Sequence, residues 1–430
     1  MKSSILKQRI KMKSFDYMLI DLYQDKSQIE YQRKRYISAI EKFESLYGED
    51  DVSLFSVPGR SEVSGNHTDH QNGKVLACAV NIDIIAVVAP NNSNLVNITS
   101  DNRKCNGISI TDLAFKEEEK RSTRSLVKGV LKRLADELFH IEGFNAFMTS
   151  DVAVGSGLSS SAAFETMVGY IVSGLFNKGG IDPVVIAKAG QYAENVYFGK
   201  PCGLMDQMAC SLGNLIYIDF KDNSSPVVKK VKADFARSGY SLCIVDSKGS
   251  HAHLTDDYAA IPNEMRSVSK VLGKTLAREV TAQEILENID EIREKCGDRA
   301  LIRTLHVIYE NDRVEKAFNA LENSDFNTFL EVVKQSGDSS FKYLQNVYST
   351  HDYTSQSVSI ALMYSENILQ NNGVCRVHGG GFAGTIQAFV KDEFVNDYKR
   401  EIEKVFGEGC CHILKVRKYG GQQLVYRGEE

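Results

Sequence analysis

Asp151-Val-Ala-Val-Gly155-Ser156-Gly157-Leu158-Ser159-Ser160-Ser161-Ala-Ala-Phe-Glu165 is the stretch from which the rest of this chain is most easily read. Two glycines one residue apart let backbone approach a ligand closely. Three hydroxyl residues then open an apolar segment, Ala162 to Phe176, that reads as a buried helix. A glycine turn feeding a helix N-terminus suits an anion, because unpaired N–H groups and the helix dipole both favour negative charge. Serine hydroxyls at such a place can also ligate magnesium. The stretch has no lysine before its serines, as a Walker loop requires, and Ser160 stands where a dinucleotide fingerprint needs its third glycine. On spacing alone, a phosphate loop and a serine-rich helix cap after a tight turn both remain open readings.

Working outward, 430 residues allow two domains, each with a full core. An apolar content of 43% and a charged content of 25% are those of a soluble globular protein. The net charge of −5 argues against nucleic acid or an acidic membrane surface as the main partner. Nine cysteines, with no Cys-x-x-Cys pair, suit reduced thiols better than a disulfide framework. The basic Met1–Lys13 stretch has no apolar run behind it long enough for a signal peptide. The longest apolar tract, Val75 to Ala89, carries Asn81 and Asp83 near its middle and is therefore not a membrane span. A cytoplasmic location is expected.

Apolar residues at Ile37, Ile40, Phe43 and Tyr47 are spaced as on a helix docking one face. Phe55 to Gly59 and Val75 to Val88 read as strands, Arg121 to Ile141 as a helix, and Phe144 to Val154 as a strand entering the glycine turn. Val184 to Val196 is helical in pattern, and Leu215 to Phe220 and Ser241 to Asp246 are strand-like. Long charged helices are expected between Pro262 and Ser336 and from Ser355 to Asn371, with strands again around Gly379–Gly381. This mixture predicts an α+β protein of two domains. The expected division is an N-terminal extension of unknown role at 1–36, a first domain at 37–228 and a second at 229–430.

Four further islands carry chemistry. Val57 to His70 packs Arg60, Glu62, Asn66, His67, Asp69 and His70 into a short stretch with two glycines, read as irregular. Cys202-Gly203-Leu-Met-Asp206-Gln207 places a carboxylate among apolar residues, where a charge needs a partner, and Arg60 is the candidate. The others are Glu194, which upstream on a helix reads by itself as a surface charge, and Gly379 to Gly384, which alone reads as a tight turn.

In order and spacing, from about residue 40 onward, these islands resemble the galactokinase branch of the GHMP small-molecule kinases. Pro58-Gly-Arg60 with Gly65-x-His67-Thr68-Asp69 is similar to that branch's N-terminal signature. Gly155 to Ser161 resembles its phosphate loop, Cys202 to Gln207 its catalytic island, Gly379 to Gly384 its third motif, and His251 to Tyr258 the segment that brings a tyrosine to the sugar. The resemblance implies a two-domain GHMP-kinase fold with the active site in the cleft between domains. It implies that ATP phosphates and Mg2+ lie against Gly155, Ser156, Gly157, Leu158, Ser159, Ser160 and Ser161, with Ser161 and Glu194 holding the metal. Asp206 would orient or deprotonate the sugar's anomeric hydroxyl, and Arg60 would keep it ionised and stabilise transferring charge. Asn66, His67, Asp69, Gly203 and Tyr258, with Thr68 and Glu62 from the same signature, form the implied sugar-binding set. The partners expected are a small sugar and ATP, with no nucleic acid or membrane, in a monomer or weak homo-oligomer.

Three departures set this chain apart from the family pattern, the first two of them in the sugar-recognition segment. Family members have Glu where this chain has Asn66 and Asn where it has Glu62; His70 replaces a usual Tyr; and Ala383 replaces a glycine. The implied activity is ATP-dependent phosphorylation of the C1 hydroxyl of galactose or a relative such as N-acetylgalactosamine. The alternative is a non-catalytic sugar and ATP sensor; the intact Ser160-Ser161-Ala162 favours the enzyme.

Overall fold

The computed structural model describes the chain apart from residues 102, 153–156, 233–234, 251–253 and 429–430. Gly155 and Ser156 of the loop reading, and the start of the 251–258 segment, lie outside the described residues.

Three helices, α1 (Ser3–Lys11), α2 (Asp16–Tyr23) and α3 (Ile29–Tyr47), precede the first strand. The larger sheet is built from β1 (Ser53–Ser64), β2 (Lys74–Pro90), β3 (Leu95–Ser100), β4 (Arg103–Ser109), β5 (Phe144–Ser150), β6 (Leu215–Asp219) and β7 (Val227–Lys230), closed by a late strand described below. The smaller sheet contains β8 (Tyr240–Asp246), β9 (Gly373–Val377), β10 (Thr385–Lys391) and β11 (Cys411–Leu414) in the order β11-β8-β10-β9. Helices α4 (Thr123–Asp136), α5 (Ser160–Phe176), α6 (Pro183–Tyr192) and α7 (Met205–Leu212) belong to the first half of the chain.

The apolar run in β2 is continuous because both its faces are covered. Ile84, Ala86 and Val88 enter a core with Val130 and Leu134 of α4 and Met167 and Ile171 of α5. Ile85, Val87 and Ala89 enter a second core with Leu6, Leu22, Tyr36, Ile40 and Phe43 of α1, α2 and α3. Period-two alternation thus splits one strand between two cores. The first 36 residues are accordingly part of the packing of the larger sheet and not a separate appendage.

The expected boundary at 228/229 is crossed by the chain's end. The last strand, β12 (Gln422–Val425), returns to pair with β1, giving the order β12-β1-β2-β5-β3-β4 with β6 and β7 branching from β2. Without it, β1 would present an unpaired edge. Two local expectations also change. The stretch after Pro58 is not irregular: β1 continues to Ser64, paired to β2 through register shifts at Pro58/Arg60 and Glu62/Ser64. Such bulges re-aim side chains without ending the strand. Pro262 lies inside the helix Thr255–Val271 and does not begin it.

Asp83, the charge that interrupts the apolar tract, is fully buried and collects groups from three parts of the chain. Arg35 Nη1 reaches Oδ1 at 2.6 Å, and Tyr23 Oη and Arg417 Nη1 reach Oδ2 at 2.9 and 3.2 Å. Ser56 Oγ also donates to Oδ2. Burial would push this carboxyl up, but Arg35 and Arg417 override it and hold Asp83 below its ordinary range. A depressed folded-state pKa contributes stability above the unfolded value and loses it as pH falls through the folded one. Asp83→Asn is therefore expected to lower the unfolding free energy by about 3–5 kcal/mol at neutral pH. In urea denaturation the gap between the two proteins should narrow as pH drops below about 4.

Candidate active site

The bulged end of β1 delivers Arg60 toward the first turn of α7, where Asp206 sits with the helix dipole favouring its negative charge. Arg60 Nε donates to Asp206 Oδ1 at 2.6 Å and Nη2 to Oδ2 at 2.8 Å, a two-pronged ion pair. Ser159 Oγ donates to the same Oδ2 at 2.5 Å. Burial alone would raise the Asp206 carboxyl. The Arg60 guanidinium, the two hydrogen-bond donors and Lys200 reverse this and bring it down to about 2. Asp206 is thus ionised at neutral pH while 30% of its side chain stays open to solvent.

The described part of the glycine loop is pinned against this pair. Arg60 N donates to Leu158 O at 3.1 Å, and Arg60 Nη1 donates to Gly157 O at 2.5 Å. Gly157 has φ +71°, and a Cβ there would lie 2.5 Å from Thr385 Oγ1 and 2.9 Å from His378 Nδ1. Only glycine fits that conformation and that contact. Ser159, also left-handed at φ +56°, precedes α5, so Ser160 and Ser161 occupy its first turn.

On the other side of α5, Ser161 Oγ lies 3.4 Å from Glu194 Oε1, and Lys200 Nζ reaches the same oxygen at 3.2 Å. Glu194 is buried, although helix periodicity by itself reads it as a surface charge; it lies in a wide turn, Ala193–Phe198, that extends α6. Gln207 Nε2 bridges two carboxylates, donating to Glu194 Oε2 at 3.1 Å and Glu165 Oε2 at 3.0 Å. Burial and the neighbouring Glu194 hold the Glu165 carboxyl well above its ordinary range. Glu165 and Gln207 are absent from the sequence-based set. The available signal was an acid four residues after Ser161 inside an otherwise apolar helix.

Of the set implied for the sugar, Tyr258, His67 and Asn66 bond to the Gly379–Gly381 turn, while Asp69, Gly203, Thr68 and Glu62 make their contacts elsewhere. Tyr258 Oη donates to Gly381 O at 2.9 Å and its ring packs edge-on against Phe382; burial and Asp257 push its hydroxyl up to about 12. His67 Nε2 lies 3.1 Å from Gly380 O, and burial with His70 nearby lowers its pKa to about 3, so the neutral ring donates there. Asp69 Oδ2 faces Gly203, where an added Cβ would lie 1.9 Å away. Thr68 is buried, its hydroxyl bonded to Gly65 O at 2.8 Å and Lys74 O at 2.6 Å, which ties the turn.

Asn66 and Glu62 are buried and bonded to protein. Asn66 Nδ2 donates to Gly379 O at 2.6 Å and to Glu62 Oε1 at 3.2 Å, while its Oδ1 accepts from Asn346 at 2.8 Å and Ser340 at 3.3 Å. These use the full hydrogen-bonding capacity of a primary amide. Glu62 forms an ion pair with the fully buried Arg376 of β9. A groove lined by Arg103, Lys104, Asn106 and Arg124, beside the α4 cap Ser122, was not anticipated. The backbone bond from Arg121 N to Phe198 O ties the α4 end of this groove to the Glu194 turn.

Residues 125–214 match the family model of the GHMP kinases N terminal domain, and residues 41–90 match the galactokinase galactose-binding signature. The crystal structure of Lactococcus lactis galactokinase complexed with galactose superposes with a TM-score of 0.76 at 22% identity, over 89% of this chain and 98% of that one. A mevalonate kinase superposes with a TM-score of 0.57 at 16% identity over 84% and 99%. The fold is that of the GHMP kinases, as expected. The galactokinase of Glaesserella parasuis serovar 5 is 30% identical over 369 residues, covering 84% of this chain and 91% of the relative. That of Clostridium tetani is 27% identical over 382 residues, covering 88% and 95%. The chain belongs to the galactokinase family.

Of the exchanged pair, Glu62 gives its carboxylate to Arg376, and Asn66 donates to that same carboxylate. Glu62→Asn removes that carboxylate and is expected to cost about 3–5 kcal/mol. Asn66→Glu would set a second buried carboxylate beside that of Glu62 and should also destabilise. The double variant should recover stability, with a coupling energy of about 0.5–3 kcal/mol in chemical denaturation. Additive losses would show that the two residues do not act as a unit.

Proposed function

We propose that this chain transfers the γ-phosphoryl group of ATP to the anomeric hydroxyl of galactose or a closely related sugar. The observation that carries the reading is the Arg60–Asp206 ion pair held by Ser159 at the mouth of the glycine loop. Family membership supports the substrate class.

In this reading the phosphates lie against the loop and the first-turn amides of α5, which have no intrahelical partners. The sugar hydroxyl approaches the exposed part of Asp206. A carboxylate with a pKa of about 2 is too weak a base to remove an alcohol proton in advance. It instead aims the hydroxyl and receives its proton as the sugar oxygen bonds to the γ-phosphorus and the bond from that phosphorus to the bridging oxygen breaks, releasing ADP. That is sufficient for a loose transition state, in which positioning and spread positive charge matter most. Arg60 supplies part of that charge and keeps Asp206 from protonating. Asp69, beside Gly203, and His67 and Tyr258, at the Gly379–Gly381 turn, would shape the sugar pocket. The internal bonding of Asn66 leaves sugar selection to its neighbours, so a substrate close to galactose, and not only galactose, is accommodated by the reading.

Ser161 and Glu194 fit a magnesium ion: a hydroxyl and a buried carboxylate form a hard-oxygen pair, and the ammonium of Lys200 already shows that this carboxylate takes a cation. Among the described residues no cluster of three or more His, Cys, Asp or Glu could hold a metal alone. Magnesium characteristically uses one or two protein ligands together with phosphates and water. Bound there, magnesium would neutralise phosphate charge.

An ATP-consumption assay over a panel of hexoses and amino sugars tests the activity. Asp206→Asn should retain sugar and nucleotide binding while turnover falls by about 10²–10⁴-fold. Near-normal turnover would make Asp206 a structural residue. Glu194→Gln and Ser161→Ala should each raise the magnesium concentration needed for half-maximal rate. Unchanged magnesium titrations would return Glu194 to a packing role.

A further inference from the structure

The segment ahead of the galactose-binding signature, which begins at residue 41, carries two side chains that reach the neck of the glycine loop. Tyr31 Oη donates to Asp151 Oδ1 at 2.8 Å, and Arg35 Nη1 pairs with Asp151 Oδ2 at 3.0 Å. Arg35 is itself fixed: Nη1 to Asp83 Oδ1 at 2.6 Å, and Nη2 to the carbonyls of Asp83 at 2.8 Å and Thr149 at 3.2 Å. Asp151 N donates to Asp83 O at 3.0 Å, so its backbone and its side chain are both anchored. The next residue, Val152, is buried against Gly59; a Cβ on Gly59 would lie 3.2 Å from Val152 and 3.0 Å from Leu158 O. Gly59 directly precedes Arg60. The two described flanks of the loop therefore close on the same point of β1, and Asp151 sets the first of them.

We infer that Tyr31 and Arg35 on α3 are positioning residues that fix the phosphate loop at its entry through Asp151. Their effect would be felt in nucleotide binding rather than in sugar binding. The inference rests on the kinase reading for the identity of the nucleotide. Packing alone is a weak explanation for Tyr31, because the residue is 49% exposed and its hydroxyl is spent on Asp151.

The test uses the full chain, with Tyr31→Phe, Asp151→Ala and the double variant. Isothermal titration with a non-hydrolysable ATP analogue and magnesium reads nucleotide affinity without turnover. Each single variant should bind the analogue about tenfold more weakly. The midpoint of thermal unfolding of Tyr31→Phe should stay within about 2 °C of the parent, as for an exposed substitution. Adding Tyr31→Phe to Asp151→Ala should cost no further affinity, since alanine leaves the Tyr31 hydroxyl no acceptor at that position. Unchanged affinity in Tyr31→Phe, or a loss that persists in full in the Asp151→Ala background, would overturn the inference. If Asp151→Ala fails to fold, the affinity and melting midpoint of Tyr31→Phe still decide. A parent protein that binds the analogue but phosphorylates no sugar would sink the kinase reading alone.

Discussion

The ion pair between Arg60 and Asp206 is the constraint around which the candidate site is arranged. It joins an early strand to a helix 146 positions later, and it places a guanidinium where it also holds Gly157. A partly buried carboxylate beside the buried Arg60 stays ionised only with a well-formed partner, because desolvation raises its pKa. The same pairing that makes Asp206 affordable in the fold makes it a weak base. The chemistry it can support is therefore one that asks for orientation and charge, as phosphoryl transfer does.

Glycines do the complementary work of removing atoms. Gly157, Gly203 and Gly380 each sit where a Cβ would meet Thr385, Asp69 or Tyr258. In each case a polar or aromatic side chain is brought to within contact of backbone. Buried polar networks then fix the relation between the two sheets: Asn66 binds Gly379, Asn346 and Ser340, and Glu62 binds Arg376. Such networks tolerate little slack, since each unpaired member would carry a desolvation cost of about 1–3 kcal/mol. The departures at Glu62 and Asn66 are read best in these terms. The carboxylate is retained for Arg376, and the amide is absorbed into the contact between sheets.

The second buried charge centre, Asp83, explains why helices ahead of the family signature belong to the body of the protein. Tyr23, Arg35 and Arg417 converge on it from both ends of the chain. A carboxylate in the middle of an apolar strand thus ties the outer helices, the larger sheet and the returning C-terminal segment into one packing unit.

Much of this was legible in the order of residues, and the reason is local. The glycine turn before α5, the β-branched run of β2 and the apolar stripe of α3 follow from backbone freedom and from periods of 2 and 3.6 residues. The need of Asp206 for a partner, and Arg60 as that partner, followed from the cost of burying charge. Tertiary structure alone decided the rest, because it depends on which distant groups meet. Glu194 is buried although helix periodicity reads it as surface, Glu165 and Gln207 complete its surroundings, and β12 returns to cover the edge of β1. Asn66 shows the limit most clearly. Its place in the motif and its bond to Glu62 are local, but Ser340, Asn346 and Gly379 lie 274 to 313 residues away, and no spacing along the chain encodes how those partners meet it.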